Sequence, residues 1–95
     1  MPFPTQTPRV SNRVNIEAIT PNQKGCYGLY KQGLWIYVGK ADCIRKRLLE
    51  HLGGDNPCIT GQVPAHWVDV VTNNNVVEEK RLIVELQPVC NKKVG

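Results

Sequence analysis

Two short runs rich in aromatic and aliphatic residues, 26–31 and 34–40, flank the dipeptide Gln32-Gly33, a pattern that predicts a β-hairpin with a tight turn. A turn centred there pairs Tyr30 with Trp35, Leu29 with Ile36 and Gly28 with Tyr37. Because side chains alternate faces along a strand, Tyr30, Trp35 and Tyr37 are expected on one face. Leu29, Leu34, Ile36 and Val38 are expected on the other, the core face. Beyond the hairpin the period changes. Ile44, Leu48 and Leu52 form an apolar stripe that predicts a helix over 43–52, with Asp42 as its N-cap and Gly53-Gly54 as its stop. Residues 55–65, with Pro57, Gly61 and Pro64, read as a loop. Alternation returns over 66–72 and predicts a third strand. A last helix over 76–86 is stopped by Pro88. Positions 79, 82, 83 and 86 make its buried stripe, and one of them is a carboxylate, Glu79, which is costly to bury unless something pairs with it.

Residues 1–24 contain Pro2, Pro4, Pro8 and Pro21 and read as an N-terminal extension with one or two helical turns near 14–19. Residues 25–95 read as one compact domain. The expected fold class is a small α/β (α+β) domain, a three-stranded antiparallel sheet flanked by helices.

Composition narrows the function. A chain of 95 residues fits a single domain. No apolar run approaches the ~20 residues that cross a bilayer, and no basic-then-apolar leader opens the chain, so a cytoplasmic protein without membrane contact is expected. The four cysteines, Cys26, Cys43, Cys58 and Cys90, include no closely spaced pair. That spacing argues against zinc, and the lack of a leader argues for free thiols. The formal net charge is +4. Lys40, Arg45, Lys46 and Arg47 are concentrated near the predicted helix start, with Lys92 and Lys93 near the C-terminus. Such a cluster is either a solvated helix face or a stripe for a polyanion.

The ordered residues carry a resemblance. Gly28-Leu29-Tyr30 followed by Tyr37-Val38-Gly39-Lys40 resembles the two signature tripeptides of the GIY-YIG nuclease family. Arg47, ten residues after Tyr37, falls at the family's helix arginine, and His51 at a position where members carry histidine or tyrosine. Glu79 falls at the metal-binding glutamate, and Gln87-Pro88-Val89-Cys90-Asn91 is similar to the closing Q-P-x-x-N, with Asn91 twelve residues after Glu79. The resemblance implies a DNA endonuclease that hydrolyses phosphodiester bonds with one divalent cation, Mg²⁺ or Mn²⁺, bound by Glu79. It implies Tyr30 as general base on the attacking water, Arg47 as the brace for the phosphate, and Tyr37 and His51 as positioning or proton-sharing groups. Lys40, Arg45 and Lys46 would bind substrate, and Asn91 would act as a hydrogen-bonding support. With no recognisable base-reading module beside the site, the expectation is selectivity for branched or flapped DNA, nonspecific cutting, or specificity lent by a partner protein or a homodimer. The competing reading is a module that grips nucleic acid or protein on this scaffold without cutting.

Overall fold

A computed structural model describes residues 3, 6, 8–54, 56–62 and 64–91. The elements run β1 (Arg9–Val10), α1 (Arg13–Glu17), β2 (Gly25–Lys31), β3 (Leu34–Ala41), α2 (Ile44–Leu52), α3 (Pro57–Gln62), β4 (His66–Val71) and α4 (Asn75–Leu86), closed by a 3₁₀ turn, Val89–Asn91. The sheet order is β1-β4-β2-β3, and every neighbouring pair is antiparallel.

This sheet has four strands where three were expected. The addition comes from the N-terminal segment, in which Arg9 pairs with Trp67 and Val10 with His66. Arg9 is held there by its own side chain. Its guanidinium lies 4.8 Å from the Trp67 ring centroid and 2.9 Å from an Asp69 carboxylate oxygen. Phe3, Ile16 and Ile19 are buried, so the segment packs on the domain rather than trailing from it. Its prolines and amides obscure these isolated apolar anchors.

Two strand edges are met by a side-chain amide, that of β4 beyond its short pairing with β1 and that of β3 at the rim of the sheet. Gln6 donates from Nε2 to the Asp69 carbonyl oxygen at 2.7 Å and accepts from the Asp69 N–H at 3.0 Å. Across the sheet, Asn91 donates to the Val38 carbonyl oxygen at 2.9 Å and accepts from the Val38 N–H at 2.7 Å.

The hairpin register corrects the face assignment. Tyr30 does oppose Trp35, but the register then shifts, so that Leu29 opposes Tyr37, Gly28 opposes Val38 and Tyr27 opposes Gly39. Ile36 is the extra residue of a β-bulge. With a side-chain period of two, one inserted residue turns everything beyond it to the other face. Ile36 and Tyr37 therefore pack on one side with Tyr27 and Leu29. Val38, expected beside Leu29, instead joins Tyr30 and Trp35 on the opposite side. Both sheet faces are covered. Ile16, Ile44, Leu48 and Ile59 from α1, α2 and α3 close over the first, with Trp67. Leu82, Ile83 and Leu86 of α4, with Phe3, close over the second.

Three further expectations change. Residues 57–62 of the expected loop form α3, which buries Ile59. The N-cap of α2 is Cys43 rather than Asp42, and it makes no side-chain capping bond. Cys58 and Cys90 form a disulfide, while Cys26 and Cys43 are free, so the expectation of four free thiols does not hold. No described helix is long and apolar enough to cross a membrane. Asp55, Lys92 and Lys93 lie outside the described residues.

Candidate active site

Four polar or aromatic side chains converge where α2 lies on the sheet. Tyr27, from β2, is fully buried, and its hydroxyl lies 2.6 Å from His51 Nε2. Tyr37, from the neighbouring strand, places its ring centroid 6.2 Å from that of Tyr27 and 5.2 Å from that of His51. Arg47 and His51 are four apart on α2 and so share a helix face. The Arg47 guanidinium is held charged chiefly by its hydrogen bond to Glu50, against the opposing effect of burial, and it also hydrogen-bonds Tyr27. Tyr27 is thus the hub of the cluster, in contact with a cation, an imidazole and a second phenol.

Local sterics explain why a glycine faces this hub. A Cβ on Gly39 would sit 2.5 Å from the Tyr27 hydroxyl oxygen and 2.8 Å from a Tyr37 ring carbon. Only a residue without a side chain lets the two rings close over β3. Gly39→Ala is therefore expected to destabilise the fold by about 1–3 kcal/mol through overpacking. It should also push Tyr27 off His51. Thermal unfolding checks the first effect, and a hydroxyl-sensitive tyrosine signal such as ultraviolet resonance Raman checks the second.

Tyr30 is not part of this cluster. It lies on the other sheet face, half-buried, with its ring against Trp35 and stacked on His66 at 5.7 Å. The tyrosine that does join Tyr37 in the cluster is Tyr27, which was not among the expected site residues. A signal for it was present: Gly25-Cys26-Tyr27 is also a G-x-Y tripeptide, three residues before the one chosen.

Glu79 is placed by α4, one turn after Asn75. Asn75 is buried, donates its side-chain amide to the Ala41 carbonyl oxygen at 3.2 Å, and accepts the Cys26 thiol on its backbone oxygen at 3.3 Å. These two bonds tie the start of the helix to β3 and β2. Glu79 is half-buried and makes no hydrogen bond or ion pair with any described residue. Its charge is felt by Cys26, whose thiol is pushed up to about 11, first by burial and next by Glu79. Lys40 pulls the same thiol down and, directly opposite Cys26 across the hairpin, shares its face of the sheet, the α4 side. Lys40 also lines an open hollow of about 340 Å³ with Lys24, Asp42 and Asn75. Arg45 and Lys46 lie apart from the tyrosines, lining a hollow of about 430 Å³ with Pro21, Cys43, Leu49 and Glu50. Asn91 meets the edge of β3 at Val38, next to Tyr37.

No cluster of three or more histidine, cysteine, aspartate or glutamate side chains occurs among the described residues. The donor set on offer is one carboxylate, and that fits a small hard cation. Mg²⁺ keeps much of its water shell and takes one or two protein carboxylates plus substrate phosphate oxygens.

No family model matches the chain. Solved structures do. The magnesium-bound GIY-YIG N-terminal endonuclease domain of UvrC from Thermotoga maritima superposes with a TM-score of 0.72 at 26% identity, over 84% of this chain and 94% of that one. A tyrosine-to-phenylalanine variant of that domain, bound to its catalytic divalent cation, matches equally well, with TM-score 0.72, 26% identity and 85% and 94% coverage. Three tyrosines have been replaced singly by phenylalanine in that domain, spaced ten and then fourteen residues apart. Tyr27, Tyr37 and His51 are spaced likewise here. The shared fold and the spacing of these residues support a place for this chain in the GIY-YIG family.

Proposed function

We propose that the protein is a metal-dependent DNA endonuclease in which Tyr27, rather than Tyr30, is the general base. The observation that carries this reading is the buried hub, a phenol within hydrogen-bond reach of both Arg47 and His51. A phenol ordinarily loses its proton near pH 10 and needs help to act as a base at neutral pH. Positive charge beside it favours the phenolate, and Arg47 supplies that charge. In the tautomer protonated at Nδ1, His51 takes the phenolic proton on Nε2, 2.6 Å away. Tyr27 can then draw a proton from a water aimed at the phosphorus. Tyr37 orients that water, and Arg47 braces the phosphate oxygens with its planar fork.

The scissile phosphate is held across the exposed edge of β3, with Tyr27, Tyr37 and Arg47 to one side and Lys40 and Glu79 to the other. Glu79 would hold a single Mg²⁺ or Mn²⁺, which when bound supplies Lewis-acid stabilisation of charge on the phosphate and the departing oxygen. Arg45 and Lys46 bind flanking phosphates and confer affinity without sequence information. Selectivity for branched or flapped DNA, or specificity through a partner or a second copy, belongs to the same proposal, as does a cytoplasmic place of action. The UvrC domain, described as an endonuclease with a catalytic divalent cation, supports the reaction class.

The test is cleavage of supercoiled plasmid and of branched and flapped duplexes in Mg²⁺ or Mn²⁺, with chelator as the control. Metal-dependent nicking supports the proposal. Salt-sensitive DNA binding without cutting in any metal would favour the non-cleaving module instead. Arg47→Lys keeps the charge but loses the planar fork, and is expected to lower kcat by ~10²-fold, as for loss of one oriented donor to the transition state. Single-turnover rates at saturating protein check it.

A further inference from the structure

The disulfide has no part in the proposed chemistry, yet it lies beside it. Cys90 is in the closing 3₁₀ turn, and it packs against the cluster that contains Tyr27 and Tyr37. The next residue, Asn91, gives both ends of its amide to Val38, which sits between Tyr37 and Gly39. The other sulfur belongs to Cys58 on α3. That helix is a fixed anchor. Ile59 is buried in the same core cluster, and Asn56 caps the helix by accepting the Cys58 N–H at 3.0 Å. The disulfide therefore joins a residue adjacent to the active-site strap to an element rooted in the core. Cys58 is exposed, so a reductant in solution can reach the bond.

We propose that the Cys58–Cys90 disulfide is a redox lock on the active site. Oxidised, it holds Asn91 on β3; opened by a dithiol, it frees the closing turn and slows cleavage. This regulatory inference rests on the nuclease reading above. The exchange balances simply. A thiolate of the dithiol attacks Cys58 Sγ, the bond to Cys90 breaks, and Cys90 leaves as a thiolate that takes up a proton. The second thiol of the reagent then closes its own disulfide and releases Cys58 as a thiol. Two electrons pass from the dithiol to the protein, and the reagent is oxidised. Cys26 is buried, and the bond can re-form between the same two cysteines when an oxidant returns.

The test uses the full chain purified without reductant. Thiol titration in denaturant should find two free thiols before reduction and four after it. Amide hydrogen exchange then reads the lock directly, because the Val38 N–H is bonded to Asn91. Reduction should speed exchange at Val38 and leave Cys26 and Leu29 in the central strand unchanged. Plasmid cleavage in Mg²⁺, well below the melting temperature of the reduced form, should slow on the order of tenfold, a typical coupling between sites. Reoxidation should restore it. Cys58→Ser should be slow with and without reductant, and its Val38 exchange should match the reduced wild type. Four thiols before reduction, or a Val38 amide and a cleavage rate indifferent to reduction, would overturn the lock. An oxidised protein that cuts no DNA but still shows the Val38 change would sink the nuclease reading and leave the lock standing.

Discussion

Tyr27→Phe is expected to lower DNA cleavage by ~10²–10⁴-fold, the range contributed by a positioned general base, while Tyr30→Phe changes it by less than about twofold. The contrast follows from the bulge at Ile36. Tyr30 and Tyr27 are three residues apart on one strand and so lie on opposite faces. Tyr27 faces Tyr37, Arg47 and His51, whereas Tyr30 faces Trp35 and His66. Removing the Tyr27 hydroxyl also removes its hydrogen bonds to His51 and Arg47. A stability loss of about 1–3 kcal/mol should accompany the change. Single-turnover rates and urea unfolding, run on both variants, separate the effects. If Tyr30→Phe is the inactive one, the cluster around Tyr27 is packing and the proposed mechanism fails.

Glu79→Gln is expected to reduce metal-dependent cleavage by at least ~10³-fold, because it neutralises the one carboxylate offered to the cation without changing its shape. DNA binding in chelator should hold steady or tighten slightly, since a negative charge is removed from a protein that binds a polyanion. Mn²⁺ binding followed by electron paramagnetic resonance should weaken in parallel with cleavage. Loss of cutting with unchanged Mn²⁺ binding would place the cation elsewhere. Because the Glu79 charge is a secondary cause of the raised Cys26 thiol, the same variant should lower the pH at which Cys26 ionises. The larger cause, burial, would remain.

Much of the fold could be read in the chain because its periods are clean. Ile44 and Leu48 on α2, Leu82 on α4 and the alternation of β4 each predict an element that the structure contains. What misled was local geometry that leaves no mark on hydrophobic pattern. The hairpin turn was placed correctly, at Gln32 and Gly33, both of which adopt positive φ. One inserted residue beyond it moved Tyr37 to the other face and carried the search for its partner from Tyr27 to Tyr30. Both sheet faces are buried, so apolarity could not arbitrate between the two registers. The fourth strand escaped for another reason. Arg9 and Val10 are both exposed, and the strand they form is held by a cation over an indole rather than by a buried stripe. Cys58 and Cys90, 32 positions apart, gave no spacing signal for their bond.

The amides paired with β4 and β3 have a consequence for how this protein behaves at high concentration. An uncovered strand edge is a template on which another polypeptide can build, and most small sheet proteins must blunt it. Here Gln6 and Asn91 each imitate the backbone of a missing neighbour, occupying the donor and acceptor of a single residue on β4 and on β3. An incoming strand would find its ladder interrupted midway on either side. Both edges are thereby denied to a second sheet, which disfavours fibrillar stacking.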